Sequence, residues 1–186
     1  MGKKLSEMSL GELWKLFPIS LTAHQACWKE WYQEEIDLLQ KHLPNGVKFH
    51  HIGSTAVEGI WAKPIVDILA EVPNGQELAP YKTALLRNGY LCMSEAENRL
   101  SFNKGYTEEG FAQRVFHLHL RREGDNAEVY FREYLNDYPD VAVAYERLKL
   151  ELWKRYEYNR DGYTNAKTEF VKTYTEQAKT LYENRW

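Results

Sequence analysis

The chain has 186 residues, of which 44% are hydrophobic and 27% are charged, and its formal net charge is −3. This composition is typical of one folded domain and excludes a disordered chain. A charge this close to neutrality excludes binding of nucleic acid through bulk positive charge. No apolar run reaches the roughly 20 residues that a membrane helix needs, so no membrane partner is predicted.

The first predicted element is an amphipathic arm over residues 1–22, and a single domain over residues 23–186 follows it. Helices are predicted over residues 25–43 and 77–88, and strands over 47–52, 65–72, 90–93, 100–103 and 114–120. Three helices complete the chain, over residues 127–136, from Pro139 onward, and over 164–183. This order predicts an α/β (α+β) fold with a mixed sheet and a helical C-terminal extension.

The cysteine content bears on the compartment. Cys27 and Cys92 are far apart in the sequence and do not suggest a disulfide framework. No secretory signal pattern opens the chain, so we expect a cytoplasmic protein with free thiols.

The segment between the first two predicted strands carries the clearest chemical signal. Gly53 lets a backbone approach a ligand closely, and the hydroxyls of Ser54 and Thr55 suit phosphate oxygens. Twelve residues separate Ser54 from Asp67, a carboxylate within an otherwise apolar strand. Such a carboxylate needs a partner, and either a divalent cation or a salt bridge to a basic side chain would supply one.

Two histidines extend this constellation. His117 and His119 are two residues apart on a predicted strand, so both point to one face. If that strand lies beside the Asp67 strand, the two imidazoles and the carboxylate meet. They would then bind a metal ion, act as hydrogen-bond donors or a general base, or have only a structural role in the sheet. We expect His51 to join them and His50 to point to the opposite face.

Three cations are candidates for binding an anionic ligand in the same place. Lys167 lies on the apolar stripe of the last helix, so it either reaches solvent or meets an anion. Lys63 precedes the Asp67 strand, and Arg132 lies at the edge of the buried face of its helix. We predict that Lys63, Arg132 and Lys167 bind phosphate together with the Gly53–Thr55 turn.

The motifs resemble those of the GrpB family, within the nucleotidyltransferase superfamily. The segments that carry the resemblance are HIGSTAV at residues 51–57, AKPIVDI at 62–68, FHLHL at 116–120 and FREYL at 131–135. The resemblance implies a nucleotidyltransferase-like fold. The superfamily signature also expects a second acidic residue two positions after the first, where this chain has Leu69. The next acidic residue on the same face of the strand is Glu71, two positions after Leu69. Glu58 stands where the family usually has proline.

Three functions follow as expectations. The first is nucleotidyl or phosphoryl transfer on a nucleotide or phosphorylated small molecule, with Asp67 and His119 as catalytic residues. Its cofactor would be Mg²⁺ or Mn²⁺, or Zn²⁺ if Asp67, His117 and His119 all ligate. The second is a non-catalytic module that binds the same anionic ligand, since the acidic pair is incomplete. The third is an interaction protein that uses its aromatic helices and the N-terminal arm.

Overall fold

The computed structural model describes residues 3–183 and 185, and these form six α-helices and five strands. Met1 and Gly2 of the predicted arm lie outside the described residues. The elements in chain order are α1 Leu10–Leu16, α2 Cys27–His42, β1 Lys48–Ile52, β2 Val66–Val72, α3 Ala79–Arg87, β3 Leu91–Ala96, β4 Arg99–Thr107, β5 Gly110–Arg122, α4 Ala127–Asp137, α5 Pro139–Tyr156 and α6 Arg160–Tyr182.

The five strands form one mixed sheet in the order β1-β2-β5-β4-β3, which confirms the predicted fold class. β2 and β5 run parallel, and every other neighbouring pair is antiparallel. The chain between β2 and β5 forms α3, β3 and β4, which supplies the long crossover that a parallel pair requires. The register places Asp67 directly beside His117 and Leu69 beside His119.

The two faces of the sheet have different partners. On the back face, side chains at alternate positions of β2 and β5 enter one large core with residues of α2 and α3; they are Val66, Ile68, Ala70, Val72, Phe116, Leu118 and Leu120. On the front face, Leu69 packs against Ile52 and against Val129 of α4. In the described residues, no helix combines the length and the apolar character needed to cross a bilayer.

Some element bounds differ from the sequence-based expectation. β4 and β5 are longer than predicted because they continue as a hairpin that turns between Thr107 and Gly110. α6 begins at Arg160 rather than at 164, since the Asn159 side chain accepts a hydrogen bond from the Gly162 N–H and caps the helix earlier. Near the end of α6, Leu181 is 52% exposed, so the apolar face of this helix is not buried along its whole length.

The N-terminal arm is packed against the rest of the chain at its C-terminal end. Phe17 and Ile19 are buried, with 3% and 2% exposure. The Ile19 N–H donates to the carbonyl of Glu157, and Thr22 forms an isolated bridge with Ala62.

A tight turn after β1 holds the chain against the Asp67 carboxyl group. Gly53 has φ +71° and ψ −173°, a conformation that only glycine adopts readily. A Cβ atom at this position would lie 2.6 Å from Oδ2 of Asp67. The turn therefore requires glycine both for its backbone angles and for its contact with Asp67.

We expect Gly53→Ala to destabilise the protein by about 1–3 kcal/mol because it combines backbone strain with this clash. Chemical denaturation measures the free energy of unfolding. Gly59→Ala is the matched control, since Gly59 has φ +80° and an added Cβ there would meet nothing within 4 Å. Equal losses in the two variants would show that the contact with Asp67 contributes nothing.

Candidate functional site

The front face of the sheet and helices α4 to α6 enclose a cleft of about 700 Å³. Ligand sites of small molecules are typically of this size. The cleft brings together most of the residues that the sequence singled out, which are Gly53, Ser54, Thr55, Lys63, Asp67, His117, His119 and Lys167. Gly53, Ser54 and Thr55 reach it from the turn after β1, and Lys167 reaches it from α6.

The Asp67 carboxylate is paired with a histidine rather than with a lysine or arginine side chain. Its Oδ1 lies 3.2 Å from Nδ1 of His117, and its side chain remains 28% exposed. Burial raises the pKa of Asp67, but the hydrogen bond from His117 and the nearby charges of His117, His119 and Lys63 outweigh it, so the pKa is lowered. Asp67 is therefore a carboxylate at neutral pH.

The pair extends into a chain of hydrogen bonds. The Tyr106 hydroxyl lies 2.8 Å from Nε2 of His117, and Nη2 of Arg160 donates to the same hydroxyl oxygen at 3.0 Å. This pattern is satisfied when Arg160 donates to Tyr106, Tyr106 to His117 Nε2, and His117 Nδ1–H to Asp67. The orientation of Asp67 thus depends on a residue at the first turn of α6.

His119 lies one step further along the same face of β5. Its Nδ1 is 3.3 Å from Nη2 of Arg121. Burial lowers the pKa of His119, so its imidazole is neutral at pH 7. Because Arg121 donates to Nδ1, the neutral imidazole carries its hydrogen on Nε2, and His119 is a hydrogen-bond donor at the cleft wall.

Four cations line the cleft, and two of them were missed by the sequence analysis. They are Lys63, Lys149, Arg160 and Lys167. Lys149 follows Tyr145 by four residues and precedes Leu152 by three, so it lies on the apolar stripe of α5 as Lys167 does on that of α6, and this spacing is visible in the sequence. Arg160 was overlooked because the last helix was predicted to begin four residues later.

The described residues show no ion pair between these four cations and a carboxylate. The Lys149 ammonium, on a side chain with only 2% exposure, donates to the backbone carbonyl of Trp61. Lys63 and Lys167 lie over the ring of Tyr163, at 5.5 Å and 4.3 Å from its centroid. No direct ion pair therefore neutralises these charges, although Asp67 acts to raise the pKa of Lys63 and Lys167, and Glu128 and Asp161 also line the cleft.

Burial shifts the protonation of the three lysines. It lowers the pKa of Lys149 and of Lys167 to about 7, and that of Lys63 to about 8. Neighbouring cations add to this effect, since Lys63 and Lys149 also lower the pKa of Lys167. The lysines therefore form one electrostatic cluster in which each charge disfavours the others.

Arg132 does not lie among the residues that line the cleft, contrary to the expectation from its helix position. Its Nη1 donates to the carbonyl of His51 at 2.7 Å, and its other nitrogens contact Glu133. It lines a separate hollow on the other side of the turn, where Thr55 also reaches.

The faces of His50 and His51 are the reverse of those predicted. His50 shares the face of Asp67, where its Nε2 lies 2.6 Å from Oε2 of Glu71. His51 lies on the opposite face, stacked on Tyr32 of α2 with ring centroids 4.8 Å apart, and burial lowers its pKa to about 4. His51 is thus separated from the His117 and His119 side of the sheet.

The acidic residues of β2 do not form a two-metal site. Leu69 is fully buried in the contact with α4, at the position where a second carboxylate would be needed. Glu71 accepts hydrogen bonds from the Gly124 N–H and from Asn126, besides its contact with His50. Within residues 3–183 and 185, no three His, Cys, Asp or Glu side chains are grouped so as to hold a metal ion. As arranged here, the donor set does not fit a metal centre.

Two comparisons of structure establish the fold. GrpB from Enterococcus faecalis superposes with a TM-score of 0.75 and 29% identity, covering 88% of this chain and 99% of that one. Cid1 poly(U) polymerase, solved with MgATP bound, has a TM-score of 0.51 and 11% identity over 79% of this chain and 47% of its own. The fold is therefore nucleotidyltransferase-like.

Comparisons of sequence establish the family. The glutamate-rich protein GrpB of Alkalihalophilus pseudofirmus is 34% identical over 160 residues, which are 82% of this chain and 91% of that protein. The UPF0157 protein YqkA of Bacillus subtilis is 29% identical over 98% of this chain, which spans only 54% of YqkA. The family model described as GrpB protein matches residues 18–177, and the chain belongs to the GrpB family.

Proposed function

We propose that the cleft binds a phosphate-bearing small molecule, either a nucleotide or a phosphorylated metabolite. The observation that carries this proposal is the cluster of Lys63, Lys149, Lys167 and Arg160 without a carboxylate partner in the described part of the chain. Lys149 is buried and the other three cations are half-buried. Charges withdrawn from water without a counter-charge destabilise a folded protein, and a bound anion would neutralise them.

The geometry supports phosphate in particular. Lysine ammonium groups act as point charges toward phosphate oxygens, and an arginine adds several N–H donors. The Ser54 hydroxyl lines the same cleft from the turn after β1. The pairing of Asp67 with His117 reduces the repulsion between the Asp67 carboxylate and a bound phosphate.

Substitution of one cluster lysine should change the affinity for the ligand without lowering the stability of the fold. We expect Lys167→Met to weaken binding of the best phosphate-bearing ligand roughly tenfold or more, since it removes a charge that contacts the anion. The free energy of unfolding at pH 7 should stay the same or rise, because methionine needs no counter-charge. Calorimetric titration and chemical denaturation measure the two quantities, after a thermal-shift screen of nucleotides and sugar phosphates.

Lys172→Met is the matched control for this variant. Lys172 lies on the same helix but is exposed and does not line the cleft. Its replacement should leave affinity unchanged within about twofold. Equal affinity of the Lys167→Met variant and the unmodified protein would contradict the proposal.

The lowered lysine pKa values predict a pH dependence. With pKa values of about 7 in the free cleft, the amines of Lys149 and Lys167 are about half charged at pH 7, and that of Lys63, with a pKa of about 8, is mostly charged; all three lose their charge as the pH rises to 9. A bound anion raises their pKa, so binding takes up protons, and affinity falls as pH rises from 7 to 9. We expect roughly a tenfold loss over this range, and titrations in buffers of different ionisation enthalpy report the proton uptake. An affinity that is flat or rises with pH would contradict this assignment.

The second candidate function is nucleotidyl or phosphoryl transfer. The observation that favours it is the contact between the Gly53 turn and Asp67, with His119 on the same face of a nucleotidyltransferase-like fold. In this proposal, a hydroxyl group attacks the ligand phosphorus while the bond to the leaving phosphate group breaks. The Asp67 carboxylate accepts the hydroxyl proton, and the Nε2–H of His119 donates to a phosphate oxygen. The predicted need for Mg²⁺, Mn²⁺ or Zn²⁺ stays a prediction.

Turnover by purified protein tests the second candidate. If transfer occurs, Asp67→Asn and His119→Gln should each lower it by about 100-fold or more, while the lysine cluster still binds the ligand. Chromatography of nucleotide products, with Mg²⁺, Mn²⁺ or Zn²⁺ added in turn, measures the rate. Binding without turnover under every condition would leave the non-catalytic module as the function.

A further inference from the structure

The N-terminal arm supplies a wall of the cleft from outside the segment that matches the family. Trp14 of α1 lines the cleft, whereas the family match begins at residue 18. The indole therefore reaches the cleft of the lysine cluster from the N-terminal arm.

The arm is held in place close to Trp14. Phe17, three residues further along, packs its ring against Tyr106 and Phe111, with centroids 4.7 Å and 5.0 Å away. Phe17 is the C-cap of α1, and its N–H donates to the carbonyl of Leu13, so the anchor fixes the end of the helix that carries Trp14. The Arg160 guanidinium lies over the Tyr106 ring, 5.6 Å from its centroid, and joins the anchor to the charged part of the cleft.

The N-terminal end of the helix is fixed by local hydrogen bonds. The Ser9 side chain accepts from the Glu12 N–H, and the Glu12 carboxylate accepts from the Ser9 N–H at 2.7 Å. This capping box stabilises a helix that is only seven residues long. Trp14 is thus presented from a short helix that is fixed at both ends.

We propose that Trp14 binds a planar heteroaromatic ring of the ligand by stacking while the lysine cluster binds its phosphates. This inference rests on the proposed function and narrows its ligand to a nucleotide. An indole offers a large π-face at little cost in side-chain entropy, and stacking on an aromatic side chain tolerates any base. A sugar phosphate or inorganic polyphosphate has no heteroaromatic ring to stack on Trp14, so this contact would not add to its affinity.

Two probes that differ only in the organic part test the proposal. ATP carries the ring and the phosphates, and tripolyphosphate carries the phosphates alone. We expect Trp14→Ala to weaken ATP about tenfold or more and to leave tripolyphosphate within twofold, as measured by calorimetric titration. Trp14→Phe, which keeps an aromatic face, should restore most of the ATP affinity and remains informative if the alanine variant folds poorly.

Leu10→Ala is the matched control, since Leu10 lies on the same helix, is 57% exposed and does not line the cleft. Unchanged ATP affinity in both Trp14 variants would overturn the inference. Parallel losses for ATP and tripolyphosphate would also overturn it, because the arm would then act on the lysine cluster alone. If ATP does not bind the unmodified protein the inference fails, while binding of other phosphate esters would still support the proposed function.

Discussion

The parallel pairing of β2 with β5 is the constraint on which the site depends. Its register is fixed from behind, because Val66, Ile68 and Phe116 must all lie in the back core. Side chains alternate along a strand, so the same register brings Asp67 and His117 together on the front. A slip of one residue would bury the imidazole among apolar side chains and expose Phe116 in the cleft. The hydrophobic core therefore determines the geometry of the polar face.

Charged side chains in the cleft differ from those buried elsewhere in the fold in the partners that they have. Buried Glu35 is neutralised by Lys104 at 2.8 Å and hydrogen-bonded by Tyr90 at 2.9 Å. Buried Glu71 is likewise satisfied by His50 and by two further donors. The fold thus provides charged or hydrogen-bonding partners for its buried acids, whereas the lysines of the cleft have no ion pair with a carboxylate in the part of the chain that the structure describes. Functional sites are the places where stability is commonly given up for binding, and this contrast is the physical basis of the proposed anion site.

Much of the fold and part of the site follow from local pattern. The apolar run of β2 predicts an interior strand, and the pairing of that strand brings Asp67 beside His117. The side on which His51 lies was not predictable, because β1 does not alternate clearly between apolar and polar residues and its burial is graded. Arg132 lies near an apolar stripe, but its guanidinium has nearer partners in a carbonyl and a carboxylate, and sequence spacing does not show them.

The front face of β2 also indicates what kind of chemistry the cleft supports. Of its three positions, Leu69 packs against α4 and Glu71 is held by hydrogen bonds within the fold, so Asp67 alone faces the cleft. Glu128 and Asp161 also line the cleft, so three carboxylates and four cations are present there and basic side chains are in slight excess. In the proposed function, the protein's own side chains attract the phosphate, and any transfer reaction would use Asp67 as the proton acceptor. Binding of the anion is then the property on which such a reaction would be built.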